Sequence, residues 1–197
     1  GSHVELPAGS LAARLAAHEL GHSMVTGSLL NGTDTPAGWA SYFLDHAGSL
    51  PGRPSGPLNG PPAHCSYRRE LLVEAGGFPE DMRAGEDTVV NNLLFERGYR
   101  AYRASGVALA HRSRCERPAQ LLRHHFGRGR AMGRILRGDL RSGRLSRRSL
   151  VRHWLLRYLP RRLRLTATYV AGYGDQALGE RYARVRWLVR AGAVAAW

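Results

Sequence analysis

Residues 65–111 read CSYRRELLVEAGGFPEDMRAGEDTVVNNLLFERGYRAYRASGVALAH. Arg68 to Ala75 carries a helical pattern that stops at Gly76-Gly77, since paired glycines supply the left-handed backbone that ends helices. A second helix is expected from about Asp87 to Arg97, ending at Gly98, followed by short strands at Tyr99–Arg103 and Gly106–Ala110. Toward the N-terminus, Ser10 caps an expected helix through about His22, with Leu11, Leu15 and Ala16 on one face. Met24 to Leu30 reads as a strand closed by the turn Asn31-Gly32, and a further helix is expected around Trp39 to His46. Residues 47–63 are rich in Gly and Pro and read as a surface loop. This alternation is α/β order. Beyond Arg117 only helices are expected, with Leu122, Phe126 and Leu136 recurring between arginines and an amphipathic stretch from Leu150 to Leu159. The sequence therefore divides near residue 115, into an α/β part, 1–115, and a basic helical extension, 116–197.

The 197 residues hold 29 Lys+Arg and 15 Asp+Glu, a formal net charge of +14, and every one of the basic residues is Arg. Residues 1–99 contain 11 acids and 6 Arg, whereas residues 100–197 contain 4 acids and 23 Arg. The extension therefore invites an anionic partner. No helix-turn-helix, zinc-finger or RNA-recognition signature accompanies the charge, so nucleic acid is not expected. Leu150 to Leu165 combines an apolar stripe, Trp154 and Tyr158, and Arg147, Arg148, Arg161, Arg162 and Arg164, which suits an anionic membrane surface; the alternative is a solvated arginine face on packed helices. Cys65 and Cys115 form no CxxC pair, so neither a disulfide framework nor a thiolate zinc site is implied. No apolar run reaches the ~18 residues of a spanning helix, and no secretory signal opens the chain. The expected location is cytoplasmic, peripheral on the inner face of the cytoplasmic membrane.

One motif points to different chemistry. His18-Glu19-Leu20-Gly21-His22 fits HExxH, in which two imidazoles on one helical face hold zinc and the Glu activates a water. The extended metzincin pattern, however, asks for Gly and a third His where this chain has Val25 and Ser28, and only 17 residues precede His18. A zinc metalloprotease is thus the alternative enzyme reading. A non-catalytic basic module that binds membranes or anions is the third.

The segment 65–111 resembles the second half of the catalytic domain of family 2 glycosyltransferases, whose fold is the nucleotide-sugar-binding GT-A type. Arg68-Arg69, Gly76-Gly77-Phe78, Glu80, Glu86-Asp87, Gly98-Tyr99 and His111 follow the family's order and spacing, and Val25-Thr26-Gly27 and Gly38-Trp39 extend the likeness. The resemblance implies an inverting glycosyltransferase that moves a sugar from a nucleotide-sugar donor to the hydroxyl of a glycan or lipid-linked acceptor, in cell-envelope glycan or glycolipid synthesis. It implies Asp87 as the general base, with Glu86 as its orienting neighbour. Gly76, Gly77, Phe78, Trp39, Gln120 and Arg123 would bind acceptor. His111 would stand near the donor diphosphate and its divalent cation, Mg or Mn, as a metal ligand, with Arg128 and Arg130 as phosphate-facing candidates. Gln120, Arg123 and His124 are similar to the QxxRW motif of processive members, with His in the place of Trp.

The resemblance covers half of a catalytic domain. The family's first half is a βαβ nucleotide-binding unit with an Asp-x-Asp metal motif, and no Asp-x-Asp occurs in these residues. The expected fold is therefore a partial GT-A domain lacking its N-terminal nucleotide-binding unit, followed by basic amphipathic helices. Such a chain is expected to be truncated and inactive alone.

Overall fold

A computed structural model describes all residues except 1, 2, 61, 63, 81, 83 and 84, with the backbone only at 153 and 155. The fold is α/β with a mixed sheet. The chain forms two compact units, one of residues 1–30 and 49–111 and another of residues 31–48 and 112–197. Their border in the chain falls at His111/Arg112, close to the change in sequence character near residue 115, and the segment Asn31–Gly48 packs with the C-terminal helices.

The first unit is a sheet with helices on both faces. Its strands are β1 (Val4–Glu5), β2 (Met24–Asn31, whose last residue belongs to the other unit), β3 (Gly56–Pro57), β4 (Ser66–Tyr67) and β5 (Ala101–His111). The order is β1-β5-β2-β4 with β3 also on β5; β1/β5, β2/β4 and β3/β5 are antiparallel. Side chains alternate across a strand, so the neighbours Met24 and Val25 enter separate cores. Met24 packs with Leu71, Val90, Leu94 and Ala101, beneath α3 (Arg69–Glu74) and α4 (Glu86–Glu96). Val25 packs with Ala17, Ala104 and Val107, beneath α1 (Ser10–Glu19). The two strands expected at 99–110 are one, because β5 runs unbroken through Ser105-Gly106. The loop 47–63 is not featureless: a 3-10 turn spans Ala47–Ser49, Leu50 is buried, and Gly56 and Pro57 pair with Arg103 and Tyr102. Within that loop, positions 61 and 63 lie outside the described residues.

The buried face of α1 differs from the expected one. Leu11 and Leu15 are 60% and 55% exposed, while Ser10, Arg14 and Ala17 are buried. The reason is hydrogen bonding to the sheet. Ser10 Oγ donates to Ala108 O at 2.6 Å, and Arg14 Nη1 donates to Val25 O at 2.9 Å. Buried carbonyls need donors, and a helix has one face to give.

The second unit is helical: α2 (Pro36–His46), α5 (Pro118–Arg141), the single turn α6 (Arg147–Ser149) running into a π-helical turn at Leu150–Leu155, α7 (Tyr158–Tyr173) and α8 (Gln176–Ala196). Thr35 caps α2, its side chain accepting from Gly38 N at 3.0 Å, and Pro36 stands where its missing N–H costs nothing. In α8, Val185, Leu188, Val189, Gly192 and Ala193 are buried at helical spacing. A Cβ at Gly192 would run into Leu44 and His125, so glycine sets how closely α8 approaches α2 and α5. The expected apolar face of α5 is again offset by one residue. Leu122 and Phe126 are exposed, and Leu121 and His125 are buried. The amphipathic stretch expected at 150–159 is broken between the π-helical turn and α7. No helix among the described residues is long and apolar enough to cross a membrane.

Gly27 sits in β2 where a Cβ would collide with the backbone oxygen and the side chain of Val107 on β5. Gly27→Ala must push two central strands apart, and overpacking of this kind costs about 1–3 kcal/mol. The expected outcome is a lower urea midpoint with an unchanged slope, measured by circular dichroism.

Candidate functional site

In the first unit, Glu86 and Asp87 occupy the first turn of α4, where the helix N-terminus favours negative charge. Gly85 precedes them with φ 86°, a backbone that a side chain would strain. Asp87 is exposed, and its Oδ1 accepts from Thr88 N at 2.8 Å. Gly76 and Gly77 have φ 86° and 76° and cap α3, Gly77 N donating to Leu72 O at 2.9 Å. No atom lies within 4 Å of a Cβ built at either, so φ and not space demands glycine there. Phe78 is half-exposed and meets Tyr67 edge to face at 5.9 Å. The acidic loop between Phe78 and Glu86 includes positions 81, 83 and 84, outside the described residues.

His64 was not singled out from the sequence, and it stands near both Asp87 and His111. Among the described residues it is the one non-glycine with positive φ, 50°. Such backbone persists where surroundings over-determine it. Here Arg14 does so: its Nη2 donates to His64 O at 2.9 Å and its Nη1 to Ser66 Oγ at 3.1 Å. The His64 ring lies 5.3 Å from that of His111, which ends β5. Burial lowers the pKa of His64, and the charge of Asp87 works against that shift. Behind it, Tyr67 Oη donates to Asn91 Oδ1 at 2.8 Å, and Asn91 Nδ2 donates to Pro62 O at 3.2 Å. Burial pushes the Cys65 thiol up to about 12, so it stays an unreactive thiol at neutral pH. The unit therefore gathers a carboxylate at a helix start with two imidazoles nearby.

The HExxH geometry is absent. Helix α1 ends at Glu19, and Gly21 turns the chain with φ 99°, so His18 and His22 do not share a helical face. His18 uses both ring nitrogens, Nδ1 at 2.7 Å from His22 O and Nε2 at 2.9 Å from Ser66 Oγ. His22 stacks flat on Tyr102, with ring centroids 3.6 Å apart. No zinc site follows from these residues.

The remaining expected residues lie in the second unit. Trp39 Nε1 donates to Asp34 Oδ1 at 2.7 Å, and the Arg181 guanidinium lies 4.4 Å over its ring while pairing with the same Asp34. Gln120 caps α5, its Oε1 accepting from Arg117 N at 2.8 Å. Arg123 and Arg130 are exposed on α5. Arg128 instead turns to Asp45, Nε to Oδ1 at 3.4 Å. The expected site residues are thus divided between the two units, Glu86, Asp87, Gly76, Gly77, Phe78 and His111 in one and Trp39, Gln120, Arg123, Arg128 and Arg130 in the other.

Asp45 heads a charge cluster that the sequence did not reveal. Its side chain is 4% exposed and faces Arg128, Arg162 at 3.5 Å, His124 at 3.6 Å and His125 at 3.9 Å. Burial by itself would raise the Asp45 pKa; Arg128, His124 and His125 outweigh it and hold the carboxyl far below the usual range. His125 is fully buried, with neither ring nitrogen hydrogen-bonded, and burial depresses its pKa to about 4. Asp45, His124 and His125 bring their ligand atoms within 4.8 Å of one another, a spacing that could hold a metal ion. The two guanidinium groups on the same carboxylate argue against a cation there, because like charges a few ångströms apart repel strongly even at moderate dielectric.

A divalent cation near His111 meets a different difficulty. Mg and Mn prefer oxygen ligands, and the pair beside β5 offers imidazoles. These residues do not by themselves fit such an ion. Comparison with protein-family models, curated proteins and solved structures finds no match to this chain.

Two titrations follow. In Asp87→Asn the His64 pKa falls further, since the charge that raised it is gone, as read from imidazole NMR shifts across pH. The second concerns stability. The unfolded His125 binds a proton near pH 6.5 and the folded one only near 4, so stability present above about 6.5 is lost as pH falls toward 4, by about 3 kcal/mol. Asp45, also depressed, adds its own loss below about pH 4. Denaturant midpoints across this range are expected to fall less steeply in His125→Gln between about pH 6.5 and 4.

Proposed function

We propose that the chain is the acceptor-side part of an inverting glycosyltransferase of the GT-A type, with a sugar nucleotide as donor and a hydroxyl of a glycan or lipid-linked molecule as acceptor, in cell-envelope glycan or glycolipid synthesis. The observation that carries this reading is Asp87, an exposed carboxylate in the first turn of α4 within electrostatic reach of His64, whose ring lies against His111. Its Oδ1 is held by Thr88 N, and the carboxylate is exposed to an incoming hydroxyl.

In the reaction, Asp87 takes the acceptor hydroxyl proton as that oxygen attacks the anomeric carbon. The new glycosidic bond forms on the face opposite the departing group. The bond to the nucleoside diphosphate breaks, and its electron pair leaves on a phosphate oxygen, so the configuration inverts. A carboxylate suffices, because the hydroxyl becomes acidic only as attack proceeds, and positioning dominates. Glu86 orients the acceptor beside it, while Gly76, Gly77 and Phe78 form a turn on which an acceptor ring can rest. Any divalent cation that offsets the charge of the diphosphate would need oxygen groups from outside these residues, since His64 and His111 offer imidazoles. The nucleotide-binding unit, with its Asp-x-Asp pair, is required by the reading and is not among these residues.

We extend the reading to attachment at an anionic membrane surface on the cytoplasmic side. Val151 and Leu156 are exposed beside Arg147, Arg148, Arg152 and Arg157. Apolar and guanidinium groups displayed together suit a lipid interface.

Nucleoside diphosphate release from a panel of sugar nucleotides, in the complete enzyme that the reading requires, tests the assignment. Asp87→Asn is expected to lower kcat by about 100- to 10,000-fold with an unchanged melting temperature. Glu86→Gln is expected to have the smaller effect, mainly on KM for acceptor. Full activity in Asp87→Asn would remove Asp87 as base.

A further inference from the structure

The second unit carries an open cavity of about 500 Å³, within the size range of small-ligand sites. Leu44, Ala47, Leu165 and the Trp154 ring give it an apolar wall, and Asp45, Arg161 and Arg162 line it as charged groups. Trp154 stacks on Tyr158, with centroids 4.9 Å apart at 25°. Arg162 is fixed, since it donates to Leu44 O at 3.1 Å and to the Tyr158 hydroxyl and pairs with Asp45. Arg161 is exposed, and its guanidinium has no hydrogen-bond or ion-pair partner among the described residues.

Charge selects the occupant. Asp45 contributes one negative charge against Arg128, Arg161 and Arg162, and burial keeps His125 neutral near pH 7. The surroundings are net positive and favour an anion. Shape selects further. A small polar anion would leave the apolar wall wet, and a plain hydrocarbon would leave Arg161 unpaired. An anion on a single apolar chain satisfies both. Leu165 in the lining, and Val151 and Leu156 next to Trp154 in the chain, are exposed among arginines, the mixture that seats a protein at a bilayer interface.

We propose that this cavity takes one apolar chain of an anionic membrane lipid, with the lipid phosphate on Arg161. The proposal deepens the membrane-attachment part of the function above and does not depend on glycosyl transfer, so no sugar nucleotide enters its test. Flotation is measured with phosphatidylglycerol-containing vesicles and with pure phosphatidylcholine vesicles. Calorimetry is run with monomeric dodecyl phosphate and with inorganic phosphate.

The wild-type chain is expected to float with the anionic vesicles only and to bind dodecyl phosphate but not inorganic phosphate. Leu165→Gln, charge-neutral at a half-exposed site, is expected to weaken both vesicle and dodecyl phosphate binding about tenfold or more, as loss of one buried apolar side chain implies. Arg161→Glu is expected to weaken dodecyl phosphate binding by a similar factor, and Arg148→Glu, outside the cavity, to leave it unchanged. Melting curves check that all three variants fold. Inorganic phosphate binding as tightly as dodecyl phosphate would overturn the proposal, as would absence of dodecyl phosphate binding. Vesicle binding that survives Leu165→Gln would leave a charged surface attachment and remove the cavity. No flotation at all would remove both.

Discussion

One buried negative charge organises the second unit. Asp45 sits at the end of α2, and a carboxylate taken out of water costs several kcal/mol unless its surroundings repay it. Arg128 and the two histidines reach it from α5, and Arg162 from α7. Three helices are thereby fixed to one point, and Gly192 lets α8 close over the same region. Replacing such a cluster with apolar groups need not weaken a protein, but removing one member leaves the rest uncompensated. This explains how a helical unit so rich in arginine holds together. Part of its charge is turned toward Asp45, Arg181 pairs with Asp34, and Arg147, Arg148, Arg152 and Arg157 are exposed.

The first unit uses the opposite charge in the same way. Arg14 is buried beneath the sheet, and burial lowers its pKa. Its guanidinium spends its donors on Val25 O, Ser66 Oγ and His64 O. The bond to His64 O holds that residue in left-handed backbone, with its ring beside His111. A cation buried in the packing thus also positions an imidazole near the proposed base. Asp87, by contrast, owes its place to local structure alone: a glycine turn and a helix start.

Much of the element order was legible. The strand at Met24, the helices ended by Gly76 and Gly98, and the change to helices after residue 117 follow from periodicity and glycine punctuation, which act over a few residues. The faces of α1 and α5 were not legible. Leu11 and Leu15, and Leu122 and Phe126, have apolar spacing, yet Arg14 and His125 occupy the interior because their partners lie on other elements. His64, just after the Gly/Pro-rich loop, was hidden for the same reason, since the group that constrains it is 50 residues away. HExxH failed through a local cause. Gly21 ends the helix between the two histidines, and glycine at that position carried the warning.

The sequence by itself determined the alternation of helices and strands, the places where they stop, the separation of acidic from basic halves, and the carboxylate pair at the start of α4. These depend on backbone preference and short-range spacing, which each segment carries within itself. Tertiary structure alone decided which face of each helix is buried, that Asn31–Gly48 joins the C-terminal helices, that Arg128 pairs with Asp45, and that His64 joins His111. Those outcomes depend on satisfying buried polar groups, and the donors and acceptors that do so come from distant parts of the chain.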